Sequence, residues 1–220
     1  CFYSINNTVI YNNWTMCNDD NGHGTHVAGI IAARYKGNIS KCFEGYPCGI
    51  APNATLLIAK ALDKDGRGYL IDILNSLEWA IENQSADIIS MSFGVDLAYV
   101  LGSNYSCYPS GRSIVEKVIK FFDDLMDYLA KEYNVILVAA AGNNPYSFSS
   151  PACAKNVIAV GAIDKNKNLA WFSSRGPIDG RIKPDLVAPG VDIDSTYPIN
   201  SYKLLSGTSM STPFVSGAVA

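Results

Sequence analysis

Short runs of β-branched and aliphatic residues alternate along this chain with segments whose apolar positions recur every three to four residues. The runs read as strands at Thr55–Ala61, Ile88–Ser92, Val135–Ala140 and Val157–Ala162, with a further segment near Leu186. The spaced segments read as helices at about Gly24–Arg34, Leu70–Glu82 and Ser113–Glu132. Strands that are apolar on both faces, separated by helices, belong in a parallel sheet covered on two sides. The expected fold class is therefore α/β, with a parallel central sheet and helices on both faces. In the third helix, Val115, Val118, Ile119, Phe122, Leu125, Met126 and Leu129 form a stripe expected to be core. Pattern alone names no chemistry.

Three departures from the pattern do. Gly207-Thr208-Ser209-Met210-Ser211-Thr212-Pro213 sets a serine between a glycine turn and a helical pattern continued by Phe214, Val215, Ala218 and Val219. Thr208 is expected as the N-cap, and Pro213 as a first-turn residue whose missing N–H costs nothing. Ser209 then sits where free N–H groups and the helix dipole stabilise negative charge, a place suited to an acyl-transfer nucleophile. The chain's two histidines, His23 and His26, lie together in Asn21-Gly22-His23-Gly24-Thr25-His26 ahead of an apolar helix. Their spacing does not suit a zinc site, so no metal is assigned to them. Small neighbours leave His23 accessible as a general base, whereas His26 reads as a packed helix residue. Finally, Val135–Ala141 ends at Gly142-Asn143, and ligands of open α/β sheets bind beyond the carboxyl ends of strands. Asn143 is thus a candidate oxyanion donor.

In motif and order, the His23 segment, Asn143 and Ser209 resemble the subtilisin-like serine proteases, or subtilases. Gly49–Leu56, Asp65-Gly66-Arg67-Gly68, Asp87–Gly94, Phe172–Pro177 and Lys183–Gly190 look like further segments of that family. The resemblance implies a three-layer fold and a serine endopeptidase working through an acyl-enzyme, with His23, Ser209 and Asn143 in catalytic roles. It also implies that substrate backbone pairs with Gly66, Arg67, Gly68 and with Ser92, Phe93, Gly94. The pocket for the residue before the scissile bond is expected between Ser92–Gly94 and Ala140, Ala141, Gly142. Neither wall carries a charge, so apolar or aromatic residues should be preferred there. The family's aspartate, in an Asp-Ser/Thr-Gly motif upstream of the histidine, has no match. Asp19 and Asp20 are expected to line the cleft or stay solvated. Residues 1–220 are accordingly expected to be a partial peptidase domain, with the aspartate's strand and the closing helices beyond its ends.

Composition narrows the setting. With 220 residues, 48% of them hydrophobic, the chain can bury a large single core. A net charge of −3 without Lys/Arg clusters argues against a nucleic-acid partner, and no apolar run is long enough to span a bilayer. Six cysteines permit fifteen pairings, of which only Cys42 with Cys48 is suggested by a short intervening loop. Glycosylation sequons begin at Asn6, Asn13, Asn38, Asn53, Asn83 and Asn104. Together these favour a secreted or extracytoplasmic glycoprotein with disulfide bonds. The resemblance implies polypeptide substrates, a propeptide in the precursor and no cofactor for the chemistry. It leaves structural calcium open at Asp185. Two enlarged loops, Tyr35–Cys48 and Asp96–Gly111, are expected to tune access. Other readings on the same fold are an inactive binding scaffold and a peptide ligase or transferase.

Overall fold

A computed structural model describes residues 2–4 (backbone only), 18–101, 107 and 113–220. Cys1, Cys17 and the sequons at Asn6, Asn13 and Asn104 lie outside the described residues, as does most of the Asp96–Gly111 loop. The chain forms two compact units. An N-terminal unit comprises Cys1–Asp87 with Asp194–Lys203, and a sheet unit comprises Ile88–Ile193 with Leu204–Val219.

In the N-terminal unit, β1 (Phe2–Ser4) pairs antiparallel with β2 (Leu57–Ala59). The strand expected at Thr55–Ala61 is therefore shorter, and its observed partner is not a strand of the parallel sheet. Helix α1 (His23–Ala32) follows the expected helical period, and α2 (Ile39–Phe43) is a short insertion capped by Asn38, whose Oδ1 accepts from Ser40 N at 2.9 Å. The Cys42–Cys48 disulfide closes this insertion, as the six-residue spacing suggested. Helix α3 (Leu70–Glu78) runs into a π-helical turn at Trp79–Asn83.

The sheet unit is built on β3 (Ile88–Met91), β5 (Ile136–Ala140), β7 (Val157–Ile163) and β8 (Leu186–Pro189), parallel and in that spatial order. Between them run β4 (Val95–Asp96), paired antiparallel with β6 (Ser149–Ser150), and helices α4 (Leu97–Leu101) and α5 (Ile114–Glu132). The sheet's period of two sends Val138 and Val160 to one face, where they pack with Ala188, Phe214 and Val215. Phe214 and Val215 belong to α6 (Thr208–Val219), which lies along the four strands. Leu137, Ala139, Val157 and Ala159 point to the other face and are all buried. The Cys107–Cys153 disulfide anchors the inserted loop after β4 to the segment beyond β6.

Strands β9 (Ile193–Tyr197) and β10 (Ser201–Leu205) pair as a hairpin that the pattern of apolar positions did not reveal. Asp194–Lys203 of this hairpin belongs to the N-terminal unit and packs on α1. Ser195 Oγ donates to His26 O at 2.8 Å, and Thr196 Oγ1 donates to Thr25 O at 2.9 Å. Any side chain at Gly29 would collide with these two hydroxyls.

Helices α5 and α6 depart from expectation. Helix α5 is rotated relative to the predicted stripe. Ile119, Phe122 and Met126 are buried, but Val115 and Val118 are 47% and 44% exposed, while Glu116 and Asp123 are each 1% exposed. Asp123 is accommodated because its Oδ1 accepts from Ser150 Oγ at 2.6 Å, so a polar partner outweighs the helical pattern. In α6, Thr208 is the first helical residue and not the cap. Pro213 is the sixth, past the first turn, so it removes a real intrahelical hydrogen bond.

Candidate active site

The sheet's carboxyl edge assembles the site of the sheet unit. Parallel pairing of Met91 with Ala139 makes β3 and β5 end side by side, so Ser92-Phe93-Gly94 and Ala140-Ala141-Gly142 emerge together. Ser92, Ala140 and Ala141 are buried, Phe93 is half-buried and Gly94 is exposed. Neither segment bears a charged side chain. Gly142 takes φ +117, and a Cβ there would come within 2.6 Å of both Ser149 Oγ and Ser174 Oγ. This is a position only glycine fills well.

Asn143 follows, exposed, with its amide orientation determined by its partners. Its Oδ1 accepts from Thr208 N at 2.8 Å and from Thr208 Oγ1 at 3.0 Å. A backbone N–H can only donate, so the oxygen is assigned to that side and Nδ2 is left as the outward donor. Thr208 Oγ1 also accepts from Gly142 N at 3.2 Å, which ties the strand end to the helix start. Local sequence marks Thr208 only as a cap and does not reveal this clamp, because its partners lie 65 and 66 residues away.

Ser209 is half-buried in the first turn of α6, where its N–H has no helical acceptor. That N–H and Asn143 Nδ2 are two donors suited to a developing oxyanion. The Ser209 hydroxyl donates to Ser92 O at 3.0 Å, and Ser92 Oγ donates to Ser209 O at 2.8 Å. Asn143, Ser209 and the two pocket segments are thus brought together within one unit.

His23 belongs to the N-terminal unit, as the first residue of α1. Its helix starts from Gly22 at φ +93, with no cap from the Gly22 position. Asp19 supplies the cap from further upstream. Its Oδ1 accepts from Gly22 N at 2.7 Å and Asn21 N at 3.1 Å, and its Oδ2 from Thr25 N at 2.8 Å and Thr25 Oγ1 at 2.6 Å. Burial alone would raise the Asp19 pKa, but the Thr25 hydroxyl and these N–H groups outweigh it and hold the carboxyl below its ordinary value. Asp20 pairs with Lys60 at 2.6 Å, which holds it below the ordinary value too. Both carboxylates expected in the cleft or in solvent are therefore engaged elsewhere than at His23. Burial, and then the nearby His26, push His23 below its ordinary value of 6.5, with Asp19 pulling the other way. His26 is fully buried, with Nε2 at 2.8 Å from Lys203 O.

Gly66, Arg67 and Gly68 lie on an exposed turn of the N-terminal unit. Asp63 Oδ1 accepts from Asp65 N and Arg67 N, both at 2.9 Å, and Gly66 adopts φ +74 in open space. Gly68 has a packing reason to be glycine, since a Cβ would lie 2.5 Å from Ala61 O.

Asp185 does not fit a calcium site. Its Oδ2 accepts from Lys183 Nζ at 2.7 Å and from Ala159 N at 2.8 Å, so an ammonium already neutralises it. Lys183, 5% exposed, also donates to Val157 O at 2.6 Å. Among the described residues no group of three or more His, Cys, Asp or Glu side chains could hold a metal ion.

The model of the Subtilase family matches residues 3–220. Subtilisin DY of Bacillus licheniformis is 39% identical over 207 residues, and Subtilisin BL of Lederbergia lenta is 40% identical over 203. Each alignment takes in 92% of this chain and 63% of the relative, so the chain spans less than two thirds of their length. The solved structure of the prenylagaramide maturation protease PagA superposes with a TM-score of 0.69 at 31% identity, covering 91% of this chain and 63% of that one. With its family model matched over nearly every residue, the chain belongs to the subtilase family.

Proposed function

We propose that this chain is the core of a serine-type endopeptidase acting on polypeptides. Ser209 is the nucleophile and His23 its general base. Asn143 Nδ2 and the Ser209 N–H receive the oxyanion of the tetrahedral intermediate. The observation that carries the reading is the Thr208 clamp, which leaves Asn143 with only its donor side available next to the Ser209 turn. His23 takes the Ser209 proton as the hydroxyl attacks the scissile carbonyl. It then returns the proton to the leaving amine, and water repeats the sequence on the acyl-enzyme. A depressed His23 pKa supports the role, because a base must be neutral to accept a proton.

Substrate backbone adds as a strand along Ser92-Phe93-Gly94, and Gly66-Arg67-Gly68 keeps the edge role that family membership gives it. Uncharged pocket walls at Ser92–Gly94 and Ala140–Gly142 support apolar or aromatic residues before the scissile bond. The disulfides Cys42–Cys48 and Cys107–Cys153 and the exposed sequon asparagines Asn38, Asn53 and Asn83 support a secreted or extracytoplasmic glycoprotein. Among the described residues no helix is long and apolar enough to cross a membrane. The precursor carries a propeptide, as family membership implies.

The test is Ser209→Ala, which should abolish labelling by a fluorophosphonate and peptide hydrolysis together. Labelling that survives the substitution removes Ser209 from the mechanism. An unmodified protein that neither labels nor cleaves is a binding scaffold. Transfer of the acyl group to an added amine in preference to water would make it a ligase. A cleavage library with strict Lys or Arg before the bond overturns the specificity.

A further inference from the structure

We propose that the Ser92 side chain is a positioning residue for the nucleophile, acting as an external cap on the Ser209 carbonyl that Pro213 leaves without a helical partner. The proposal rests on Ser209 being the nucleophile. In an α-helix the N–H of residue 213 would donate to the carbonyl of residue 209. Proline has no N–H to give, and its ring presses on that carbonyl. The cost falls on the residue that carries the reacting hydroxyl.

Ser92 Oγ supplies the missing donor at 2.8 Å from Ser209 O. Ser92 is 8% exposed and follows directly on β3, so the end of a strand paired with β5 in the parallel sheet sets the position of its hydroxyl. The reverse bond, Ser209 Oγ to Ser92 O at 3.0 Å, closes a two-bond ring between the same residues. Other hydroxyls anchor α6 elsewhere. Ser211 Oγ donates to Ala188 O at 3.0 Å, and Ser216 Oγ donates to Ser90 Oγ at 2.9 Å. Those bonds hold the helix as a body, whereas Ser92 holds the nucleophile's own peptide unit. Loss of the Ser92 hydroxyl should consequently shift Ser209 without unfolding α6.

A double-mutant cycle separates this from a packing or substrate-contact role. Ser92→Ala should lower kcat and the rate of fluorophosphonate labelling about tenfold, the size of one lost hydrogen bond at the reacting residue, with KM little changed. Ser92→Thr keeps the hydroxyl and should restore both rates. Pro213→Ala returns a helical N–H to the Ser209 carbonyl, so adding Ser92→Ala to it should cost about twofold or less. Thermal unfolding of each variant shows whether it is folded. An equal tenfold loss in both backgrounds overturns the proposal, as does a loss confined to KM or a failure of threonine to rescue. These outcomes count against Ser92 alone if the unmodified protein is labelled at Ser209. If Ser209→Ala is labelled as well, the nucleophile assignment and this proposal fall together.

Discussion

Replacing Asp19 with asparagine separates two roles that a carboxylate near His23 can have. Four donors converge on Asp19, from Gly22 N, Asn21 N, Thr25 N and Thr25 Oγ1, at 2.6 to 3.1 Å. Asparagine preserves the shape but turns one acceptor oxygen into an NH2 group. If that group faces Thr25, the Thr25 N–H meets a donor from which it cannot turn away. If it faces the other side, Gly22 N and Asn21 N meet it instead. At least one charge-assisted bond is lost in either orientation, and the helix N-terminus loses a negative charge. Asp19 is partly solvated, so the helix-cap range applies and the cost should be about 2 kcal/mol. For a domain of this size that lowers Tm by about 4–8 °C. Activity should fall at most about tenfold, through displacement of the first α1 turn.

A triad acid would behave differently, with kcat falling about 10⁴-fold and little change in Tm, the pattern of an aspartate that orients the catalytic histidine. Measuring Tm and kcat on the same Asp19→Asn preparation decides between them. Unchanged Tm with collapsed kcat would refute the capping role. The pH dependence gives a second check. Because the folded pKa lies below the ordinary 3.8, the carboxylate's stabilisation is complete above that value and is lost as pH falls through the folded pKa. The Tm difference between the two proteins should therefore shrink below about pH 4.

Further substitutions test the rest of the site. Asn143→Ala should lower kcat by about 10²–10³ with little change in KM, a magnitude carried over from the oxyanion asparagine of subtilisin, and kinetics on a peptide substrate measure it. Gly142→Ala should lower Tm by several degrees, since it combines φ +117 with contacts of 2.6 Å to two hydroxyls, and it should also slow turnover by moving Asn143. The acid limb of kcat/KM should fall below pH 6.5, because a depressed His23 pKa keeps the imidazole neutral to lower pH. For stability the same shift means that the neutral-histidine contribution is complete above 6.5 and is lost as pH falls through the folded value. An acid limb above 6.5 would count against the burial of His23.

What the sequence by itself determined is local. The alternation of apolar runs with helical spacing marked α1, α3, α5 and strands β3, β5, β7, because one element's burial pattern is written within its own residues. Gly207-Thr208-Ser209, Ala141-Gly142-Asn143 and Gly22-His23 were legible for a similar reason, since each places a reactive side chain at a strand or helix end by sequence adjacency. The Cys42–Cys48 staple closes over so few residues that spacing alone suggested it.

Tertiary structure decided whatever depends on a distant partner. Cys107 meets Cys153 across 46 residues, and the mixed polar and apolar pattern of β9 and β10 became a hairpin packed on α1. The buried face of α5 holds Glu116 and Asp123 beside Ile119, Phe122 and Met126, a displacement from the apolar stripe that hydrophobic spacing does not encode. Thr208 became a clamp on Asn143, and Asp19 became the cap that Gly22 lacks. Pro213 sits beyond the first turn of α6 with Ser92, 117 residues from Ser209 in sequence, on the carbonyl it frees. Propensity rules compare a residue with its neighbours along the chain. A hydroxyl delivered by the end of a sheet strand changes the energy of a helical proline in a way that only the folded chain can arrange.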